Sequence, residues 1–458
     1  MGVCFQLCTF RLTKIGIITA TPYLIKSKKM DLTKHIDSAH KSFQDWRRIP
    51  FEERQKLLLK LADVLDKNKE AYAKIITTEM HKPISQSIAE IEKSAGMIRF
   101  YANAENVLKP EEIKTEFNVS EVHYDAMGII LGVMPWNFPF WQVLRFAVPA
   151  ILAGNVILLK HASICFGSGD EIEKAFAEAG FQKYIFQNLR IGHNEIQEIL
   201  ENPLVRGVSL TGSEKAGGTV AALAGKNIKK SVLELGGSDA FIVLEDSDYE
   251  KAAIDGPAGK LQNTGQVCNA AKRFIVHKDI EKEFVPKFVE EYNSYQPADP
   301  FKKETKLGKM ARPDLADELE SQYKKALKNG AEVVLALERI SENEFRPGII
   351  RVKEGNPILQ EELFGPLAIL MIGKDDEEIL KLANDIPFGL GNAIWTKDKK
   401  RAQFFIDNLE SGTVSINKST SSDARLPFGG AKSSGYGVEL SLLAIKEFTQ
   451  VKTVVGNI

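Results

Sequence analysis

Cys268 sits within Leu261–Arg273, LQNTGQVCNAAKR, among glycine, glutamine, asparagine and alanine. A small side chain with room beside it suits a nucleophile presented to a ligand, although an isolated cysteine is more often a small buried hydrophobe. Two upstream stretches shift that balance. Glu234-Leu-Gly-Gly237 sets a carboxylate beside two glycines, and Pro135-Trp-Asn-Phe-Pro139 sets the amide of Asn137 in a proline-bounded turn. Each has a plainer reading, as a solvated strand-end carboxylate and as an asparagine bonding its own backbone. Together a thiol, a carboxylate and an amide are the parts needed for covalent work on a carbonyl.

The other residues narrow the chemistry. The seven histidines are scattered, without HExxH or CxxC pairing, so no metal is expected, and no histidine has the companions of a Ser-His-Asp triad. No GxGxxG occurs, which excludes the standard Rossmann fingerprint. Thr211-Gly-Ser213 instead leads into a helix, whose free N–H groups and dipole suit a pyrophosphate. Counting from Asn137, Trp141 and Arg145 follow at helical spacing with Gln142 beside them, so one helical face is expected to carry them towards the reacting centre. An arginine there pairs either with a substrate carboxylate or with a carboxylate of the protein.

These groups need a scaffold. Phe51–Lys69 places Leu57, Leu58, Leu61, Val64 and Leu65 at helical spacing, with further helix to about Val107, and Asn118–Tyr124 alternates weakly as a strand. From Gly128 the pattern becomes strand, turn, helix. Strands are expected at Ile129–Val133, Val156–Lys160, Val205–Leu210, Val232–Leu235 and Ala240–Leu244, with helices over about Asp170–Ala179 and after Ser213. Phe274–His277 opens a second alternating series that runs to Thr413–Ile416. The pattern predicts two α/β domains with mostly parallel, helix-covered sheets and the chemistry in the crevice between them.

Composition sets the outer bounds. A chain of 458 residues, 44% hydrophobic and 26% charged, holds two or three domains of ordinary globular type. A formal net charge of −1 offers no basic field for nucleic acid, so none is expected as a partner. Cys4, Cys8, Cys165 and Cys268 show no paired spacing, which fits a reducing compartment and a cytoplasmic location. The longest apolar run, Ala126–Leu159, is broken by Pro135, Pro139, Arg145 and Pro149, so no membrane span is expected. Met1–Met30 carries Arg11, Lys14, Lys26, Lys28 and Lys29 but no acidic residue. It reads as a targeting segment or, as favoured here, a non-native start or disordered leader ahead of Met30.

Six motifs stand in one order: PWNFP (Pro135–Pro139), TGS (Thr211–Ser213), ELGG (Glu234–Gly237), GQVC (Gly265–Cys268), EELFGP (Glu361–Pro366) and PFGGAKSSG (Pro427–Gly435). In these the chain resembles the aldehyde dehydrogenase superfamily from about Asp31 onwards, and is most similar to bacterial succinate-semialdehyde dehydrogenases. The resemblance implies a Rossmann-like cofactor domain (31–107 and 127–236), an α/β catalytic domain (237–430) and a small oligomerisation hairpin and tail (108–126 and 444–458), in a homodimer or homotetramer.

It also implies roles. Cys268 would form a thiohemiacetal and then a thioester, with Asn137 and the Cys268 N–H as oxyanion donors and Glu234 as the base for deacylation. Ser213, with Thr211 and Gly212, would meet the pyrophosphate; Glu362 and Phe364 the nicotinamide end; Trp136 and Lys160 the adenosine end; Leu235 would also contact the cofactor. Many NAD-preferring relatives carry glutamate where Ser163 stands, and a hydroxyl beside Lys160 permits a 2′-phosphate, so NADP is expected ahead of NAD. Phe138, Trp141, Gln142 and Arg145 would wall the aldehyde tunnel, with Arg145 on a substrate carboxylate. Gln262 stands where some succinate-semialdehyde enzymes carry a second arginine, and Ser421 or Ser422 would supply the missing bond. The expected activity is oxidation of succinate semialdehyde with NAD(P). The alternatives are a broad aliphatic aldehyde dehydrogenase and, from another class, a catalytically silent cofactor-binding homologue.

Overall fold

The computed structural model describes residues 30–458, so the basic leader of the first twenty-nine residues lies outside the described residues. Three helices come first, Leu32–Trp46, Phe51–Met80 and Ile84–Ala102. The second outruns its expected end because its buried stripe continues through Tyr72, Ala73 and Ile76. His81, left-handed at φ 62°, stops it, and Pro83 precedes the next helix.

The expected α/β alternation is the fold observed. A six-stranded sheet runs Gly435–Tyr436, Lys230–Glu234, Val205–Thr211, Ile129–Met134, Val156–His161, Phe186–Asn188. All of its pairings are parallel except that of the edge strand Gly435–Tyr436. This order makes Ile129–Met134, Val205–Thr211 and Lys230–Glu234 consecutive neighbours. PWNFP, TGS and ELGG therefore leave the same carboxyl edge side by side, where open α/β sheets take their ligands. Gly435 pairs with Glu234 at φ 119°, and a Cβ there would lie 1.9 Å from the Leu233 carbonyl, so only glycine closes this edge.

Helix Trp141–Leu152 is buried along its whole length and lies across the sheet. Gly132 permits the approach, since a Cβ there would meet the Phe146 ring at 2.2 Å. The helix begins at Trp141 and not at Asn137, which corrects the expected common helical face. Asn137 lies in the preceding turn. The cause is a cap from outside the segment: Glu90 Oε1 accepts the N–H groups of Phe140 at 2.9 Å and Trp141 at 3.0 Å.

The second sheet has seven strands, in the order Glu332–Leu335, Gly348–Arg351, Leu367–Gly373, Arg273–His277, Ala240–Val243, Gly391–Trp395, Thr413–Ile416. It is parallel except at Glu332–Leu335. Gly348–Arg351 and Leu367–Gly373 are additional to the expected strands. A third, antiparallel sheet joins Glu111–Glu112, Val119–Ala126 and the tail strand Thr449–Gly456. Asn155 ties it to the first sheet, accepting from the N–H groups of Met127 and Gly128 and donating to the Phe448 carbonyl. Among the described residues no helix is long and apolar enough to cross a membrane.

Candidate active site

Helix Tyr249–Leu261 ends just before the segment that carries Cys268, and a tight turn follows. Asn263 and Thr264 adopt left-handed conformations, at φ 49° and 57°, and Gly265 follows at φ 76°. Such backbone persists only where its surroundings hold it. Here Asn263 Nδ2 donates to the Asn137 carbonyl at 2.9 Å, and the Gln266 amide bridges Asn263 and the Ala311 N–H. Lys272, fully buried, donates to the carbonyls of Val267 and Cys268 and pairs with Glu362 at 3.1 Å.

The PWNFP turn is pinned from below. His161 Nε2 donates to the Pro139 carbonyl at 3.0 Å while its Nδ1 accepts the Ala162 N–H, so the ring is neutral. Burial pushes its pKa down to about 4. Asn137, itself buried, spends one amide N–H on the Gln266 carbonyl at 3.1 Å. That bond fixes the amide plane and leaves the second N–H for another acceptor.

Two cavities meet at Cys268. The larger, about 410 Å³, is lined by Trp136, Asn137, Thr211, Gly212, Ser213, Leu235, Glu362, Phe364 and Cys268, all among the predicted cofactor or catalytic residues. Trp136 and Phe364 meet edge-on across it at 5.7 Å. The smaller, about 130 Å³, is lined by Phe138, Trp141, Gln142, Arg145, Gln262, Ser422 and again Cys268, which are the predicted substrate residues with the thiol. The half-buried thiol thus faces both.

Three predicted residues stand elsewhere. Lys160 is buried at the end of strand Val156–His161 and Ser163 is exposed just beyond it, neither of them in the wall of the larger cavity. Glu234 lines neither cavity: it is 2% exposed, and both its carboxylate oxygens lack a partner. Burial, then the like charge of Glu439, pushes its carboxyl well above the usual carboxylate range, opposed by Arg145. Burial likewise raises the Cys268 thiol, against the pull of Arg145 and Lys272.

Arg145 differs most from expectation. It is 1% exposed, ion-paired through Nε with the buried Glu439, and its guanidinium carbon lies 4.6 Å from the Phe428 ring centre. Burial works against its charge, but Glu439 and then Glu234 hold it firmly cationic. Its Nη2 and the Gln142 Oε1 are buried without partners. Sequence reasoning missed Glu439, Phe428 and, on helix Ile84–Ala102, Gln86, Glu90 and Lys93. The signal was available for the last three, polar residues at i, i+4 and i+7 on one face of a helix otherwise read only as packing.

The larger cavity fits a dinucleotide. Thr211 Oγ1 is an orphaned buried acceptor in its wall, and helix Glu214–Lys226, capped by Ser213, presents its positive end there. Residues 20–454 match the aldehyde dehydrogenase family. The chain is 41% identical over 434 residues to a probable NADP(+) succinate-semialdehyde dehydrogenase of Synechocystis, covering 94% of this chain and 96% of that one. It is 42% identical over 428 residues to an NAD(P)+ succinate semialdehyde dehydrogenase of Escherichia coli, covering 93% of each. The crystal structure of succinic semialdehyde dehydrogenase from Streptococcus pyogenes in complex with NADP+ superposes with a TM-score of 0.91 at 34% identity, over 96% of this chain and 97% of that one. With its motifs, sheet order and thiol at the junction of two cavities, this chain belongs to the aldehyde dehydrogenase family.

Proposed function

We propose that this protein oxidises succinate semialdehyde to succinate with NADP, accepting NAD less well. The observation that carries the reading is the Cys268 thiol at the junction of a dinucleotide-sized cleft and a small cavity with cationic side chains in its wall. The names of the relatives support it. The domain division expected above, with cofactor and catalytic parts on the two large sheets and the hairpin and tail as assembly elements of a homodimer or homotetramer, is part of the same proposal.

Cys268 attacks the aldehyde carbon as thiolate, and the free N–H of Asn137 with the Cys268 backbone N–H takes the oxyanion. Thr211, Gly212 and Ser213 would hold the pyrophosphate, and Glu362 and Phe364 the nicotinamide end. A bound NADP supplies the hydride acceptor. Lys272, by gripping the Val267 and Cys268 carbonyls, keeps the thiol at the junction while ligands exchange. Glu234, with two free oxygens, takes the proton of the water that cleaves the thioester. Because it lines neither cavity, it must turn towards Cys268 for that step; the glycine facing its carboxylate is Gly429, where an added Cβ would lie 3.6 Å from Oε1.

The Arg145–Glu439 pair favours a second reading, a general aliphatic aldehyde dehydrogenase, since the expected carboxylate partner already has one. Absorbance at 340 nm decides between them, with succinate semialdehyde or butanal and with NADP or NAD. The proposal expects the highest kcat/KM for succinate semialdehyde with NADP. Equal values for the two aldehydes would refute it.

A further inference from the structure

The charges around the smaller cavity balance everywhere except at one residue. Arg145 is neutralised by Glu439, Glu90 by Lys82 at 2.5 Å, and Asp423, at the loop beside the cavity, by Arg425 at 2.6 Å. Lys93, in the cavity wall, has no carboxylate partner among the described residues. Its Nζ donates to Ser422 Oγ at 2.8 Å and stands 4.3 Å from the centre of the Trp141 ring. Both of these line the same cavity. A hydroxyl and a π face orient an ammonium without neutralising it. The ammonium of Lys93 is carried on a four-carbon stem whose rotations let it shift from the Ser422 hydroxyl to a ligand in the cavity.

We propose that Lys93 reads the negative charge of the substrate. Its ammonium, aimed by Ser422 and Trp141, takes one oxygen of the distal carboxylate, while the buried, unpartnered Nη2 of Arg145 takes the other from the inner wall. This rests on the reading of the site as one for a semialdehyde and deepens it. The uncompensated charge of Lys93 supplies the preference for an acid, and Arg145, already neutralised, supplies direction. Ser422 acts here through Lys93 as a positioning residue.

A titration accompanies the geometry. Crowding by the surrounding walls, then the like charge of Arg145, pushes the Lys93 ammonium down to about 8. Glu90, Asp423 and the Cys268 thiolate also face it and oppose that fall. The ammonium is charged at pH 7 and loses its charge as pH rises through about 8, so preference for an acidic aldehyde fades in that window.

The test is steady-state kinetics of the full chain with saturating NADP, on succinate semialdehyde and butanal, at pH 7 and pH 9. Lys93→Met should raise KM for succinate semialdehyde by about tenfold or more, the scale of one charge-assisted bond, with kcat changed far less. The KM for butanal should move by much less. Lys93→Arg should restore the preference. In the wild type the ratio of the two kcat/KM values should fall between pH 7 and pH 9, and in Lys93→Arg it should stay level. Taking a ratio cancels the ionisation of Cys268 and Glu234, which both substrates share. A ratio unchanged in Lys93→Met, or the same loss for both aldehydes, overturns the assignment of Lys93 while leaving the semialdehyde reading standing. A wild type that does not distinguish the two aldehydes overturns that reading itself, and the role of Lys93 with it.

Discussion

Glu439→Gln tests the buried ion pair at the heart of the site. The substitution keeps volume and both backbone bonds to Phe428, removes the charge opposite Arg145, and turns one of the two accepting oxygens into an NH2 donor, which the Ser209 hydroxyl can accept. Breaking one side of a buried pair costs about 3–5 kcal/mol, because the remaining ion is left uncompensated. Two features soften this. The Phe428 ring still faces the guanidinium, and Glu234 can ionise to replace the lost partner, which together return about 1–2 kcal/mol. A net loss of about 2–3 kcal/mol remains. With an unfolding entropy of about 2.1 cal/mol/K per residue over the roughly 430 described residues, Tm should fall by about 2–4 °C.

A second readout follows from the same pair. Glu439 is, after burial, the group that raises the carboxyl of Glu234. Without it the Glu234 acid ionises at lower pH, so the base is available earlier. The alkaline rise of a deacylation-limited kcat should shift towards neutral pH. The assays are differential scanning fluorimetry and single-turnover kinetics across pH 6–9. A Tm within about half a degree of wild type, with an unmoved pH profile, would refute the claim that this pair governs Glu234.

Three further outcomes are expected. Cys268→Ala should abolish turnover while NADP binding, measured by fluorescence quenching, persists; wild-type turnover would remove Cys268 as nucleophile. Glu234→Gln should give a burst of reduced cofactor and then slow deacylation, and it should also stabilise the fold. The raised carboxyl makes wild-type stability fall as pH climbs from the unfolded value of about 4.3 towards the higher folded one, so the Tm advantage of the variant should widen as pH rises above about 5. If Ser163 takes part in cofactor choice as proposed, Ser163→Glu should weaken NADP binding and spare NAD by setting a carboxylate against the 2′-phosphate. An unchanged ratio of the two dissociation constants would take Ser163 out of cofactor choice.

The parts of the site that lie inside short motifs were legible. Cys268 and Asn137 declare themselves by local company, and Thr211–Ser213 by its place between strand and helix. What sequence could not supply was pairing across distance. Arg145 and Glu439 are 294 residues apart, and nothing local in either segment announces the other. The helical count from Asn137 failed because the cap that starts the helix at Trp141 comes from Glu90, on another element. Strand order was equally hidden. Alternation gives a parallel sheet, but not that the strands ending in PWNFP, TGS and ELGG are neighbours. Leu367–Gly373, a strand inside the second sheet, was overlooked although its apolar run is plain. It directly follows Pro366 of EELFGP, so the motif and the strand form one continuous stretch with no turn residues between them to mark the boundary.

Helix Ile84–Ala102 has a consequence for how such an enzyme can be altered. Through Glu90 it holds the start of the helix that follows Asn137, and one turn further on it carries Lys93 into the substrate cavity. On the proposed roles of Lys93 and Asn137, selectivity and catalytic geometry are thus mounted on one rigid rod. A change that tilts or shifts the rod to admit a bulkier aldehyde would also move the proposed oxyanion donor, so directed evolution of new specificity should meet a trade-off against rate. The escape lies at Ala89, which faces the same cavity, whereas Gln86 accepts the Asn263 N–H at 2.7 Å and so holds the turn that reaches Asn137. Libraries confined to Ala89 should yield altered scope at undiminished turnover more often than libraries that include Gln86 or Glu90.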